Sequence, residues 1–190
     1  MAKVFVITGP SGVGKGTLIR RLRERVPNLA LSVSATTRSP RAGERDGSDY
    51  HFLSTQEFAS RADASEFLEH AAYSGNRYGT LRSEVEQRLA EGQSVVLEIE
   101  VQGARQVRAA MPEAVLVFIA PPDPAALRER LEGRGADDAG AISERLRTAE
   151  IELDAQQEFK YVVVNDELER AAAELERIVR GELALEPSEP

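Results

Sequence analysis

The clearest chemistry in the sequence lies in a glycine-rich run near the N-terminus. Residues 9–15 read Gly-Pro-Ser-Gly-Val-Gly-Lys and match the first seven positions of the pattern G-x-x-x-x-G-K-S/T. A strand-like run precedes it and a helical pattern follows it. An ordinary glycine turn could also join a strand to a helix, but such a turn would not require a lysine directly after the last glycine of the pattern, where Lys15 stands. The run therefore predicts a phosphate-binding loop, in which inward-facing backbone N–H groups and Lys15 hold a nucleotide's phosphates.

Position 16 departs from this pattern. Gly16 stands where a Ser or Thr hydroxyl would contact Mg²⁺. Thr17 is next, but one step along a helix rotates a side chain by about 100°, so Thr17 does not simply substitute. We expect a Mg²⁺ ion here to be held chiefly by phosphate oxygens, waters and a carboxylate.

Two acids at the end of a predicted strand are candidates for that carboxylate. Glu98 and Glu100 are two residues apart in the predicted strand 95–100, so they share one face. The opposite face is apolar. Acidic side chains on such a strand are costly unless they meet a ligand or a metal, and open α/β sheets bind ligands at the carboxyl ends of their strands.

The composition excludes several classes of protein. The 190 residues contain no cysteine, which rules out disulfides, thiolate metal sites and thiol nucleophiles. The net charge of −8 argues against a general nucleic-acid surface. Apolar runs stay shorter than the roughly 18 residues of a membrane helix. We expect a cytoplasmic protein with one globular domain.

Arginines nevertheless cluster in two segments. Either cluster could bind anions, although any single arginine is as often an ordinary solvated charge. The clusters are Arg38, Arg41 and Arg45, and Arg130, Arg134, Arg145 and Arg147.

Short β-branched runs alternate with helical patterns, which is typical of a parallel sheet with crossover helices. The predicted strands are 4–8, 29–34, 95–100, 115–119 and 161–164. The predicted helices are 15–25, 84–91, 142–159 and 167–180, with a further helix capped by Asp123 and Pro124. Residues 35–80 are polar and rich in turn residues, and residues 133–141 are rich in Gly, Ala and Asp, so both segments are expected to be binding elements or lids.

The chain resembles the guanylate kinases over almost its entire length. The resemblance begins at the phosphate loop and continues through further motifs in the family's order. These are 32–44 (SVSATTRSPRAGE), 49–50 (DY), 66–69 (EFLE), 74–80 (SGNRYGT), 98–103 (EIEVQG), 130–135 (RLEGRG), 142–146 (ISERL) and 164–166 (VND). Family members commonly have Asp at one or both of positions 98 and 100, where this chain has Glu.

The resemblance implies an α/β fold with a parallel sheet core of the P-loop NTPase type and helices on both faces. It implies one domain with a core at 1–34, 81–129 and 148–181. It also implies a GMP-binding region at 35–80, a lid at about 130–147 and a frayed tail at 183–190. The implied reaction is Mg²⁺-dependent transfer of the ATP γ-phosphoryl group to GMP, and to dGMP, giving ADP and GDP.

The resemblance also implies which residues act. The ATP site would comprise Gly9, Pro10, Ser11, Gly12, Val13, Gly14, Lys15, Gly16, Thr17, Arg130, Arg134 and Asn165. The GMP site would comprise Ser34, Arg38, Arg41, Tyr50, Glu69, Tyr78, Gly79, Thr80 and Glu100. Lys15, Arg38, Arg134 and Arg145 would be catalytic, and Glu98 would contact Mg²⁺ through water.

Chemistry supports the guanine assignment. A carboxylate at Glu69 or Glu100 accepts from the N1–H and the amine of guanine, whereas adenine presents a lone pair at N1. Each unpaired buried group costs about 1–3 kcal/mol. Taken alone, Glu69 lies in a helical stretch with Glu66 and reads as a solvated charge.

Two alternatives stay open. One is a guanylate-kinase-like module that binds partner proteins without catalysis, against which the intact Lys15 loop and the lid arginines argue. The other is a nucleotide kinase for AMP or UMP, against which Glu69 and Glu100 argue.

Overall fold

A parallel sheet of five strands forms the centre of the fold. The computed structural model describes residues 1–73, 75–123, 125–128 and 139–185, with the backbone alone for 139–146. The sheet contains β1 (Val4–Thr8), β2 (Leu29–Leu31), β7 (Ser94–Glu98), β8 (Val115–Ala120) and β9 (Tyr161–Val164), in the order β2-β7-β1-β8-β9. Every pairing within it is parallel.

Helices cover both faces of this sheet. They are α1 (Lys15–Arg25), α3 (Arg82–Ala90), α4 (Val101–Ala110), α5 (Ala139–Asp154) and α6 (Leu168–Leu183). Side chains alternate along β1, so Phe5 and Ile7 join a core with α1 and α6, whereas Val4 and Val6 join a core with α3 and α4. All five residues of β1 are buried, as expected for a central strand covered on both sides. The expected fold class is confirmed.

A second sheet of four strands lies between β2 and α3 in the chain. It has the order β4-β3-β6-β5 and comprises β3 (Ala35–Thr36), β4 (His51–Phe52), β5 (Phe67–Tyr73) and β6 (Asn76–Leu81). The helix α2 (Thr55–Asp63) packs beside it, and the rings of Phe58 and Phe67 stack at 4.4 Å. None of these elements was predicted from the sequence. For β3 and β4 the reason is their length, because two-residue strands have no measurable period.

Several predicted boundaries are wrong. The predicted strand 29–34 ends at Leu31, and β3 then starts the second sheet. The predicted strand 95–100 ends at Glu98, and Glu100 is the N-cap residue of α4, which was not predicted. The predicted helix 142–159 runs as α5 to Asp154 and continues as the 3₁₀ helix Ala155–Glu158.

Other predictions agree with the structure. The strands 4–8 and 161–164 and the helix 15–25 have the predicted bounds. Asp123 acts as a cap, since the backbone N–H of Ala126 donates to its Oδ1 at 2.8 Å, and Pro124 lies outside the described residues. Among the described residues, no helix combines the length and the apolar character that crossing a membrane requires.

Candidate active site

The phosphate loop joins β1 to α1, as the sequence predicts. Three of its glycines have positive φ angles: 139° at Gly9, 84° at Gly12 and 97° at Gly14. Other residues rarely adopt such angles. At Gly9 there is a second reason, because a Cβ would lie 2.2 Å from the carbonyl oxygen of Ile119 in β8. Glycine thus lets the loop turn while it packs against the neighbouring strand.

Lys15 lies folded over its own loop. Its Nζ donates to the carbonyl oxygens of Gly9 at 2.6 Å and Pro10 at 3.2 Å. These contacts place the ammonium group at the concave side of the loop, beside the N-terminus of α1. A cation and a helix N-terminus together favour an anion at this position.

The side chain of Asn165 holds the phosphate loop in place. It follows β9, is 7% exposed, and donates from Nδ2 to the carbonyl oxygen of Val13 at 2.8 Å. A Cβ at Gly14 would lie 2.7 Å from the same Nδ2. The amide therefore fixes the loop conformation, and this contact gives Asn165 a structural role beside the role near adenine that the resemblance implies.

Gly16 faces the carboxylate of Glu98. A Cβ at position 16 would lie 3.5 Å from Glu98 Oε1 and 3.6 Å from Oε2. Desolvation by the walls of the cleft raises the pKa of Glu98, and the charge of Lys15 lowers it. Within the described residues, no group of three or more His, Cys, Asp or Glu side chains could hold a metal ion. A hard cation would therefore fit here only with oxygen ligands from phosphate and water beside Glu98.

Two cavities adjoin above the carboxyl ends of the strands. A cavity of about 590 Å³ lies over the phosphate loop, and a cavity of about 280 Å³ lies against the second sheet. They share five lining residues, Ser34, Tyr50, Glu98, Ile99 and Glu100. The arrangement is one cleft with an anion site at one end and an acidic pocket at the other.

Glu69 forms the floor of the acidic pocket. It lies on β5 and is 6% exposed, so the expectation of a helical, solvated residue is wrong. Thr80 on β6 donates its hydroxyl to Glu69 Oε1 at 2.7 Å. Burial raises the pKa of Glu69, the bonds from Thr80 lower it, and the charge of Glu100 raises it further. A buried carboxylate beside a second acid is poised to accept from a ligand's N–H groups.

Two glycines make room around Glu69. A Cβ at Gly79 on β6 would lie 2.8 Å from the carbonyl oxygen of Glu69, and a Cβ at Gly103 on α4 would lie 2.7 Å from Glu69 Oε2. Both glycines line the smaller cavity. The prediction that Glu100 shares a strand with Glu98 is wrong, but both acids line this cavity, with the buried Ile99 between them.

The basic side of the pocket is built around Arg38. Its guanidinium carbon lies 5.2 Å from the ring centre of Tyr50, and the rings of Tyr50 and Tyr78 lie 6.2 Å apart. Tyr50 and Tyr78 both line the smaller cavity. Arg41 has an exposed side chain and lies in the same loop. The structure therefore brings Arg38, Tyr50 and Tyr78 together, whereas Arg41 is exposed and lines neither cavity.

The comparison with known proteins agrees with this geometry. A family model described as guanylate kinase matches residues 1–182 of this chain. The chain belongs to the guanylate kinase family. Curated guanylate kinases are similar over nearly their whole length. That of Synechococcus sp. (strain CC9311) is 54% identical over 177 residues, which cover 93% of each chain. That of Frankia casuarinae is 52% identical over 176 residues, which cover 93% of this chain and 96% of the relative.

Solved structures support the same fold. The crystal structure of guanylate kinase from Anaplasma phagocytophilum has a TM-score of 0.76 and 34% identity, covering 95% of this chain and 86% of that chain. The structure of TT1252 from Thermus thermophilus, at 16% identity and a TM-score of 0.55, shows the fold alone. Membership of the guanylate kinase family makes the chain a nucleotide-binding kinase.

The lid residues implied by the guanylate kinase resemblance cannot be placed. Arg130 and Arg134 lie outside the described residues, and Arg145 falls in the part of α5 where only the backbone is described.

Sequence reasoning overlooked one buried acid in this guanylate kinase. Glu152 on α5 is 8% exposed, and burial together with the charge of Glu100 raises its pKa to about 7. Lys15 and the backbone N–H groups of Val101 and Ser11 lower that pKa. Glu152 therefore lies close to both the phosphate loop and the start of α4. No local pattern distinguishes it from its neighbour Glu150, which lies on the same helix and is exposed.

Proposed function

We propose that this guanylate kinase transfers the γ-phosphoryl group of ATP to GMP in the presence of Mg²⁺, giving ADP and GDP. The observation that carries the proposal is the single cleft that joins the phosphate loop to the pocket around Glu69. dGMP is expected to be an acceptor as well. The proposed site of action is the cytoplasm.

The donor end of the cleft suits a triphosphate. The backbone of residues 9–17 and Lys15 would hold the β- and γ-phosphates at the N-terminus of α1. Arg130, Arg134 and Arg145 belong to the proposed lid at about 130–147, and Asn165 is assigned to the neighbourhood of adenine. Phosphoryl transfer needs positioning and charge neutralisation more than covalent help, which fits a set of N–H groups and cations.

The acceptor end suits guanine in particular. Glu69 and Glu100 would accept from the N1–H and exocyclic amine of the base, while Ser34 and Thr80 would contact its O6 side. Thr80 already donates to Glu69 at 2.7 Å, which orients the carboxylate before any ligand binds. Adenine would leave a buried carboxylate facing a lone pair, at a cost of about 1–3 kcal/mol.

The GMP phosphate is assigned to Arg38, Arg41, Tyr50 and Tyr78. Guanidinium groups bind the oxygens of a phosphate in pairs, and phenolic hydroxyls donate single hydrogen bonds. Tyr50 lines both cavities, so a phosphate at this position would lie between the guanine pocket and the phosphate loop. A phosphate bound there would direct its acceptor oxygens toward the ATP site, as in-line transfer requires.

Glu98 is assigned to Mg²⁺ through water. It is the acid nearest to Gly16, where the hydroxyl of other phosphate loops is missing. The bound ion would neutralise charge on the transferred phosphoryl group. Burial raises the pKa of Glu98, and the nearby charge of Lys15 opposes that rise. A bound cation would stabilise the ionised carboxylate further.

A coupled assay for ADP release tests the proposal. GMP, dGMP, AMP and UMP are offered as acceptors, with the Lys15→Ala variant as the control for the phosphate loop. We expect turnover with GMP, and a loss of at least about 100-fold in the variant. Turnover confined to AMP or UMP would refute the guanine assignment. An absence of turnover with every acceptor would favour a non-catalytic interaction module instead.

A further inference from the structure

Arg38 is held by a carboxylate to which the function proposed above gives no role. Glu44 Oε1 accepts from Arg38 Nη2 at 2.8 Å, and Glu44 Oε2 accepts from Nη1 at 2.9 Å. These two parallel bonds form a fork, which fixes the plane of the guanidinium as well as its position. The fork lowers the pKa of Glu44 and raises that of Arg38, so the pair stays ionised.

Glu44 also organises the backbone of the second arginine. Its Oε2 accepts from the N–H of Arg41 at 2.7 Å, and its own N–H donates to the carbonyl oxygen of Arg41 at 3.1 Å. The turn that carries Arg41 is therefore closed on both sides by the same residue. One carboxylate thus links the side chain of Arg38 to the backbone of Arg41.

Further contacts fix Arg38 from other directions. Nη1 donates to the carbonyl oxygen of Ser39 at 2.7 Å, and the guanidinium carbon lies 5.2 Å from the ring centre of Tyr50 and 5.8 Å from that of Phe52. Glu44 occupies the end of the guanidinium formed by Nη1 and Nη2. The second edge of the guanidinium, formed by Nε and Nη2, still carries two N–H groups with the spacing that binds two phosphate oxygens. A hydrogen bond with Tyr78 also raises the pKa of Arg38, so this phenol lies beside the guanidinium.

We infer that Glu44 is a positioning residue that orients Arg38 and Arg41 for the phosphate of the acceptor nucleotide. The inference rests on the proposed function, since it assumes that the two arginines bind that phosphate. Glu44 does not touch the substrate in this assignment. It acts through the arginines, by fixing the orientation of one guanidinium and by closing the turn of the other.

Charge and geometry make opposite predictions here, which gives the inference a sharp test. Glu44 is an anion close to a site for a phosphate dianion, so by Coulomb's law alone its removal would strengthen GMP binding. If Glu44 acts by ordering the arginines, its removal weakens GMP binding, because the lost order must be restored when the ligand binds. The sign of the change distinguishes the two roles.

The experiment compares Glu44→Gln and Glu44→Ala with wild type. Calorimetry measures the binding of GMP and of guanosine, which lacks the phosphate, and steady-state kinetics measures KM for GMP and for ATP. We expect GMP affinity to fall and KM for GMP to rise by about tenfold, with guanosine affinity and KM for ATP within about twofold of wild type. Glu66→Gln is the matched control, because Glu66, just before β5, pairs with Arg61 of α2 at 3.4 Å and lies outside both cavities.

Unchanged or tighter GMP binding in both variants would overturn the inference. An equal loss for GMP and guanosine would also overturn it, since that pattern means a general loss of structure. Thermal melting followed by circular dichroism monitors folding. If both variants misfold, Glu44→Asp keeps the charge but shortens the reach, and the same comparison of GMP with guanosine decides. Absence of GMP turnover in wild type would instead refute the proposed function, and the binding measurements would still decide the role of Glu44.

Discussion

Gly103 lies directly against the carboxylate of Glu69: a Cβ at position 103 would stand 2.7 Å from Glu69 Oε2. The contact joins the first turn of α4 to β5, so a helix that covers the large sheet meets the small sheet at the base of the proposed guanine pocket. A glycine near the start of a helix costs helix stability, about 0.5–1 kcal/mol relative to alanine. The close approach explains why the cost is accepted here.

Gly103→Ala should therefore impair the acceptor site while favouring the helix. The added methyl group would push the Glu69 carboxylate away from its bond with Thr80. We expect KM for GMP to rise by about tenfold, equivalent to about 1.4 kcal/mol, with KM for ATP unchanged. Steady-state kinetics with each substrate varied in turn provides the measurement.

A second glycine-to-alanine change is the control for this prediction. Gly181 is also helical, on α6, and an added Cβ there would meet nothing within 4 Å. Gly181→Ala should keep both KM values and leave stability equal or slightly higher. If Gly103→Ala behaves in the same way, Glu69 does not need the space that Gly103 provides.

Glu98 and Gly16 yield a prediction about the metal. Glu98→Gln removes the charge but keeps the length of the side chain. We expect the Mg²⁺ concentration for half-maximal rate to rise by about tenfold, with KM for GMP unchanged. Calorimetric titration of Mg²⁺ into the enzyme–ADP complex measures the same effect without turnover.

A double variant tests whether position 16 and Glu98 serve one site. A serine at position 16 would direct its hydroxyl toward residue 98, because a Cβ there lies 3.5 Å from Glu98 Oε1. Gly16→Ser combined with Glu98→Gln should regain part of the lost Mg²⁺ affinity. An unaltered Mg²⁺ dependence in Glu98→Gln would remove Glu98 from the metal site.

The parts of the fold that the sequence predicts well have strong local signals. β1 and α1 have the predicted bounds because the loop glycines separate them. β9 has the predicted bounds because its sequence, Tyr-Val-Val-Val, is a short run rich in β-branched residues. The helix α4 was missed because Gly103 interrupts its pattern, and its N-cap residue Glu100 was assigned to the preceding strand. Local propensity cannot recover an element whose glycine serves a tertiary contact.

The site divides in the same way. The phosphate loop is a continuous motif, so its residues and their positions follow from the sequence. Glu69 was assigned from the family resemblance, but its burial depends on β5 packing beside α4, which no local pattern encodes. The partners Glu44 and Arg38, six residues apart in an irregular loop, pair only because the loop folds back on itself. Contacts of this kind require the three-dimensional structure.

Glu182 should stabilise the protein in a manner that depends on pH. Its carboxylate accepts from Lys3 at 2.7 Å, Tyr161 at 2.6 Å and Lys160 at 3.2 Å, which lowers its pKa to about 2. Because the folded-state pKa lies below the unfolded-state value, the stabilisation is present above about pH 5 and is lost as the pH falls toward 2. Glu182→Gln should lower the free energy of unfolding by about 1–2 kcal/mol at pH 7, after allowance for solvent screening.

Urea denaturation at pH 7 and at pH 3 measures this difference. The exposed Glu113 supplies the control, since Glu113→Gln should leave the free energy of unfolding nearly unchanged at both pH values. A Glu182→Gln variant that loses as much stability at pH 3 as at pH 7 would show that the ionised carboxylate is not what stabilises the fold.

Glu152 should show the opposite dependence on pH. Burial and the charge of Glu100 raise its pKa to about 7 from its ordinary value of 4.5, against the opposing effect of Lys15 and two backbone N–H groups. Because the folded-state pKa lies above the unfolded-state value, its contribution to stability is full below about pH 4.5 and is lost as the pH rises through 7. The neutral Glu152→Gln variant avoids this loss. Relative to wild type, the variant should gain about 2–3 kcal/mol in free energy of unfolding between pH 5 and pH 8.

Urea denaturation at four pH values across this range measures the trend. Glu150→Gln, an exposed change on the same helix, should give a flat difference from wild type. If the difference for Glu152→Gln is also flat, Glu152 ionises in the folded protein as readily as in the unfolded chain.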